Sequence, residues 1–166
     1  MDAKDFNLTQ EYVLQLFEYK QNDLYRKKTV GSRAIKGQIA GSILKDGYRQ
    51  VKIGHKSYKV HRIIFLMKYG YLPEQVDHIN GNRSDNCLEN LRPATNATNQ
   101  YNRKPQKSNT TGHKNIHWCN RSQRYVVSFR VNGKLSSYGY FKDIKEAKSV
   151  AMQKRVELHK EYANHG

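Results

Sequence analysis

The sequence predicts an α+β protein built from small units. Three observations carry this. Short runs with period-two alternation are separated by turn pairs such as Asn80-Gly81 and Asn132-Gly133, and helical stretches stand apart from them. Hydrophobic residues make up only 37% of the 166, enough for compact cores but not for one deep core. The expected architecture is a small N-terminal α/β segment over 1–59, a β-β-α unit over 60–105, a linker over 106–112, and a C-terminal three-stranded antiparallel sheet packed on one helix over 113–166.

Thr9 is placed to cap a first helix, with Glu11 in its first turn and Val13, Leu16 and Phe17 on one face. Residues 21–37 are polar and predict a loop, with Arg26, Lys27, Lys28, Arg33 and Lys36 either contacting phosphate or simply solvated. Residues 38–60 predict short strands, with turns at Lys45-Asp46-Gly47 and Gly54-His55; Val51 and Ile53 alternate with Lys52. The apolar run Val60 to Met67 predicts a core helix ending at Gly70, with His61 and Arg62 at its start, where a phosphate or a loop can be met. Pro73 breaks the chain. Gln75 to Ile79 predicts a strand turned by Asn80-Gly81, Ser84 to Asn90 a loop or one helical turn, and Leu91 to Thr95 a second strand. Thr95 or Asn96 then caps a short helix carrying Asn99 and Tyr101. Such a unit is too small to fold without neighbours, a metal or a disulfide, and the helix from His61 to Tyr69 is the obvious neighbour.

After a basic linker over 103–112, Ile116 to Cys119 predicts a strand. In Gln123 to Val131, Tyr125, Val127, Phe129 and Val131 fall on one face, with Arg124, Val126, Ser128 and Arg130 on the other. Asn132-Gly133 is a two-residue hairpin signal, Lys134 to Phe141 the return strand, and Ile144 to Lys160 a helix with Ala147, Val150, Ala151 and Leu158 inward.

Thirty Lys and Arg stand against 14 Asp and Glu, a formal charge of +16, which bears on partners rather than fold. A polyanion is the expected partner, and nucleic acid the commonest one. The excess is uneven: residues 1–100 hold 16 basic and 10 acidic side chains, residues 101–166 hold 14 and 4. No apolar run approaches the ~20 residues that cross a bilayer, and no helix joins a basic face to a broad apolar one, so no membrane partner is expected. Met1 to Gln10 lacks the apolar stretch of a signal peptide, and a cytoplasmic protein is expected. Cys87 and Cys119 match neither a disulfide framework nor a zinc site, so no structural zinc is expected and oxygen ligands are favoured for any metal. Neither heptads nor an apolar interface marks a dimer, so a monomer is expected.

The chemistry concentrates at Asp77-His78, followed by Asn90 and Asn99. Asp77 can hold Mg²⁺ or a similar hard cation, and the amide oxygen of Asn99 suits a second ligand. His78 can take a proton from water near neutral pH, and Asn90 can fix either His78 or the loop. Asp-His pairs are common in surface loops, and Asn-rich runs such as 96–102 are common in turns and caps. Strand alternation also sets Asp77 and His78 on opposite faces unless the strand twists or ends there, and Asn80-Gly81 supplies such an end.

Val76-Asp77-His78-Ile79-Asn80-Gly81-Asn82, then Asp85 to Arg92 and Thr95-x-x-x-Asn99, with His61-Arg62 ahead of an apolar helix, resembles the HNH endonuclease family. The likeness is to its zinc-free branch of phage and intron-encoded homing enzymes. The residues after Asn109 resemble an Apetala-type DNA-binding domain, through Asn115-Ile116, Tyr125, Arg130, Asn132-Gly133, Tyr138 to Phe141 and Glu146-Ala147; Tyr125 stands where that family often has Trp. The resemblance implies a ββα-metal (His-Me finger) nuclease unit with one divalent ion, Mg²⁺ or Mn²⁺. His78 is implied as general base, Asp77 and Asn99 as metal ligands and Asn90 as the orienting residue. It further implies double-stranded DNA as substrate, 5′-phosphate and 3′-hydroxyl products, and a bacterial or phage-infected cell as the setting. His61 and Arg62 are candidate DNA contacts near the site. On the second domain the candidates are Lys114, His117, Trp118, Arg121, Arg124, Ser128, Arg130 and Ser136, from a sheet face in the major groove. The rivals are a non-cleaving DNA-binding regulator on the same scaffold and an RNA-binding module; paired RNA hides its deep groove from a sheet face.

Overall fold

The computed structural model describes residues 8–102, 108–131 and 133–163. It is mixed α/β, with small antiparallel sheets and, among the described residues, four α-helices. The chain divides into two compact units, Met1–Asn96 and Ala97–Gly166.

In the first unit, helix α1 (Gln10–Leu16) begins where the Thr9 hydroxyl accepts the Tyr12 amide at 3.2 Å. A hairpin follows, β1 (Phe17–Lys20) and β2 (Asp23–Arg26). Gln21 and Asn22 turn it with φ of 50° and 60°, the left-handed pair that a two-residue hairpin turn needs. This corrects the loop expected over 21–37. In β2 only Leu24 is deeply buried, among Asp23, Tyr25 and Arg26, so four residues carry too little alternation to stand out from a polar run.

Strands β3 (Ser42–Ile43), β4 (Arg49–Ile53) and β5 (Lys56–Lys59) form a sheet in chain order. Gly41 lets the chain pass β4: its φ is +86°, and a Cβ there would lie 2.3 Å from the Gln50 carbonyl oxygen. Helix α2 (Val60–Tyr69) stops at Gly70, whose φ is 77°. Strands β6 (Gln75–His78) and β7 (Leu91–Ala94) pair antiparallel, Asp77 opposite Arg92 and His78 opposite Leu91. Val13, Phe17, Leu24, Val51, Ile63, Val76 and Leu91 belong to one core. Residues from both sides of position 60 therefore share it, with α2 at the centre. The β6–β7 pair, too small for its own core, joins that core through Val76 and Leu91.

Helix α3 (Asn96–Tyr101) follows β7 and spans the boundary between units. The start of the expected linker, 103–107, lies outside the described residues. From Asn109 the chain is a hydrogen-bonded loop. Asn109 donates to the His113 carbonyl at 2.9 Å, and the Thr111 hydroxyl donates to the Ile116 carbonyl at 2.9 Å.

Strands β8 (Ile116–Cys119), β9 (Arg124–Val131) and β10 (Lys134–Phe141) form the second unit's sheet, with β9 central. Of the expected Asn132-Gly133 turn, Asn132 lies outside the described residues. Helix α4 (Ile144–His159) is capped by Asp143, which accepts the Lys145 amide at 2.9 Å. Ile116, Val127, Phe129, Ala147 and Ala151 form the core, with Tyr125, Val131 and Tyr138 packed against it. The alternation of β9 thus sets one face on the helix. Arg155 and His159 are buried too, along the helix's inner side. A charged and an ionisable residue at core positions have no sequence signal that separates them from solvated ones.

Candidate active site and nucleic-acid interface

β6 ends at His78, and the loop behind it brings Asn86 to that imidazole. The Gly81 amide donates to the His78 carbonyl at 2.9 Å, and Gly81 takes φ of +70° to do so. Asn90 then ties the loop down with both ends of its amide. Its oxygen accepts the Asn80 amide at 2.9 Å, its nitrogen donates to the Asp85 carbonyl at 2.8 Å, and its carbonyl accepts the Ile79 amide at 2.9 Å. Of the two tasks open to Asn90, its side chain performs the one on the loop.

The imidazole itself is held by Asn86. Nε2 of His78 donates to the Asn86 amide oxygen at 3.3 Å, which leaves the lone pair on Nδ1. Around the ring stand His61, edge-on at 4.7 Å between centroids, and Tyr48 at 5.9 Å. His78 is 3% exposed. Burial pushes its imidazole below the usual histidine range, opposed by the Asn86 hydrogen bond and the Asp77 charge. A neutral ring at pH 7 is the form a base requires.

Asp77 faces different neighbours, as strand alternation demands. Arg92, its partner across the ladder, sets Nε and Nη2 on Oδ2 at 3.0 and 2.8 Å, and the pair is largely buried. Among the described residues no group of three or more His, Cys, Asp or Glu side chains is placed to hold a metal ion. The carboxylate suits a hard cation that takes most of its oxygens from elsewhere. Asn99 sits half-buried on α3, in the second unit.

His61 is buried and unpartnered at Nδ1, and burial, then the neighbouring His78, holds its imidazole down at about 3. It packs against the site as a neutral ring. Arg62 donates to the Pro73 and Glu74 carbonyls, both at 3.2 Å, and so braces the entry into β6. Sequence reasoning assigned no role to Tyr48, Lys59, Arg83, Asn86 or Arg92. Lys59 Nζ lies 3.6 Å from the Tyr48 ring centre and the Arg83 guanidinium 4.8 Å from it, so two cations flank a ring beside His61 and His78. Arg83 and Ser84 also donate to the Asp46 and Gly47 carbonyls, at 3.0 and 3.1 Å, locking the β3–β4 turn to the loop after His78. The one available signal was the density of Asn and Asp between 80 and 90.

On the second unit, register separates the expected DNA contacts. His117, Arg124, Ser128 and Arg130 share the sheet face away from α4, with Leu135, Ser137 and Tyr140. Ser128 and His117 lie 3.4 Å apart, Oγ to Nδ1. Arg121 is exposed in the β8–β9 turn. Trp118 pairs with Tyr125 on the helix side, edge-on at 4.8 Å and 38% exposed, and Ser136 registers with Phe129 on that same side. Lys114 precedes β8, half-buried, with Nζ donating to the Tyr101 carbonyl.

Residues 58–101 match the model of the HNH endonuclease family, a span that holds α2, the β6–β7 pair and α3. Protein 3.8 of Escherichia phage T7 is 29% identical over 122 residues, covering 72% of this chain and 98% of that protein. No solved structure matches the chain.

Proposed function

We propose that this protein is a metal-dependent DNA endonuclease of the phage and intron-encoded HNH type, and that the carrying observation is a neutral, buried His78 held by Asn86 beside the Asp77 carboxylate, inside the span that matches the HNH model. His78 takes a proton from the attacking water at Nδ1. Asn86 fixes the tautomer, and Asn90 holds the loop that presents the ring. Asp77 and Asn99 are the proposed ligands of one divalent ion, Mg²⁺ or Mn²⁺. Bound there, such an ion would stabilise charge developing on the phosphate and the leaving oxygen. Arg92 orients the Asp77 carboxylate.

The substrate proposed is double-stranded DNA, bound by a monomer. The free sheet face of the second unit, with His117, Arg124, Ser128 and Arg130, faces the duplex as an Apetala-type surface, and Arg121 reaches it from the turn. Arginines there can read guanine, while lysines neutralise phosphate. No described helix is long and apolar enough to cross a membrane.

Incubating plasmid DNA with wild type and His78→Ala in Mg²⁺ or Mn²⁺ tests this. Wild type is expected to nick or linearise the plasmid and the variant to leave it intact. Wild-type protein that binds DNA yet leaves it uncut under several metals would instead support a non-cleaving regulator.

A further inference from the structure

The second unit holds a cleft of about 430 Å³, lined by Tyr101, Lys114, Arg130, Gly133 and His159 among others. His159 ends α4, 6% exposed. Its ring lies flat on Tyr101, 3.8 Å between centroids and 2° between planes, and edge-on to Phe129 at 5.6 Å. Two aromatic neighbours thus fix the imidazole, yet its Nδ1 is buried without a hydrogen-bond partner. A buried polar atom left without a partner, in a residue that lines a cleft, costs free energy that a hydrogen-bond acceptor can recover.

The charge around it has one sign. Lys114 Nζ donates to the Tyr101 carbonyl, and Arg130 Nη1 to the Gly133 carbonyl at 2.7 Å. Neither has an ion-pair partner among the described residues. Behind them Arg155, 2% exposed, donates to the Lys114 carbonyl at 2.6 Å and to the Asn115 amide oxygen at 3.2 Å. Among the described residues no carboxylate lines the cleft. Burial and Arg155 bring the Lys114 ammonium down to about 8, and burial with Lys114 and Arg155 brings His159 to about 4. Burial is the larger cause of both shifts, and the neighbouring cations add to it with no anion named among the causes.

We propose that this cleft is a phosphate-binding site, closing on a phosphate mono- or diester with Lys114 and Arg130 as cationic donors and His159 Nδ1 as a neutral N–H donor. Donors from three separate segments of the chain lining one cleft suit an oxyanion with several acceptor oxygens. The volume leaves room for part of the group the phosphate is attached to. All of its lining residues belong to the second unit, and binding there does not require cleavage. The phosphate can come from a DNA backbone or from a free nucleotide.

NMR of the His and Tyr rings in the full chain tests this, with inorganic phosphate as the probe and chloride at equal ionic strength as control. The His159 and Tyr101 signals are expected to shift saturably with phosphate and not with chloride. Lys114→Gln and Arg130→Gln should each weaken binding by about tenfold or more. His159→Phe keeps the ring stack but lacks the nitrogen, and should weaken it too. Adding a short duplex then separates the sources: displacement of phosphate assigns the site to backbone phosphate, and retention assigns it to a free ester. The proposal is overturned if phosphate produces no saturable shift in wild type, if chloride reproduces the shift, or if all three variants bind phosphate as wild type does.

Discussion

Asn86 reaches His78 with its amide oxygen, while its amide nitrogen is buried without a partner. Among the described residues, its contact with the imidazole is therefore the one polar bond its buried side chain makes, and an amide oxygen there requires the proton on Nε2. Asn86→Ala is expected to slow single-turnover cleavage roughly tenfold or more while DNA affinity stays within about twofold. Equal turnover in variant and wild type would remove Asn86 from the site. His61 contributes one of the large histidine shifts to the pH dependence of stability. Its folded value of about 3 lies below the 6.5 of an unfolded histidine, so below pH 6.5 the unfolded chain takes up a proton that the folded chain refuses. Stability should fall as pH drops from 6.5 towards 3, by up to about 1.4 kcal/mol per unit from this group. Thermal melts of His61→Phe should lose less over that range than wild type; parallel slopes would contradict it. At this scale Asp77, His78, Asn90 and Asn99 could be picked out because they form a motif of fixed spacing. Asn86, Tyr48 and Arg92 could not, because their roles arise from partners that only the folded chain brings near. Arg92 meets Asp77 through the β6–β7 register, and Tyr48 meets His78 from the β3–β4 connection.

The elements that were legible carried strong local signals. α2 had an unbroken apolar run with a terminal glycine, α4 had a cap and small inward residues, and β9 alternated over eight residues. β2 lacked all of these. Its turn uses Gln21-Asn22 rather than an Asn-Gly pair, and its burial depends on α2 packing over Leu24. Gly41 tests the packing of the small sheet directly. Gly41→Ala adds a methyl group 2.3 Å from a backbone oxygen at φ of +86°, so β3 must leave β4 or the backbone must strain. A loss of about 2 kcal/mol or more is expected in urea unfolding, whereas Gly31→Ala, with open space around it, should lose less. Equal losses at the two glycines would mean that the close approach to Gln50 does not hold the sheet.

Across the whole molecule, 30 basic side chains face 14 acidic ones, with the heavier excess after residue 100. Composition made the partner class legible from the start, and alternation set Arg124 on the outer face, while register on the sheet was needed to sort His117 from Trp118. Binding to a short duplex should weaken steeply with salt. A footprint of about five phosphates gives a log–log slope near −4.5, and Arg124→Ala should reduce that slope by about one. A salt-insensitive affinity would contradict contact dominated by phosphate. The central claim is that His78 is the base and that Asp77 and Asn99 serve a metal ion in one DNA cleavage reaction. Single-turnover cleavage of plasmid across a Mg²⁺ titration, by wild type, His78→Ala and Asn99→Ala, separates those roles. The account predicts that Asn99→Ala needs more Mg²⁺ to reach half its maximal rate, while His78→Ala stays slow at every concentration. Plasmid left intact by wild type throughout, or an Asn99→Ala titration that overlays wild type, would contradict it.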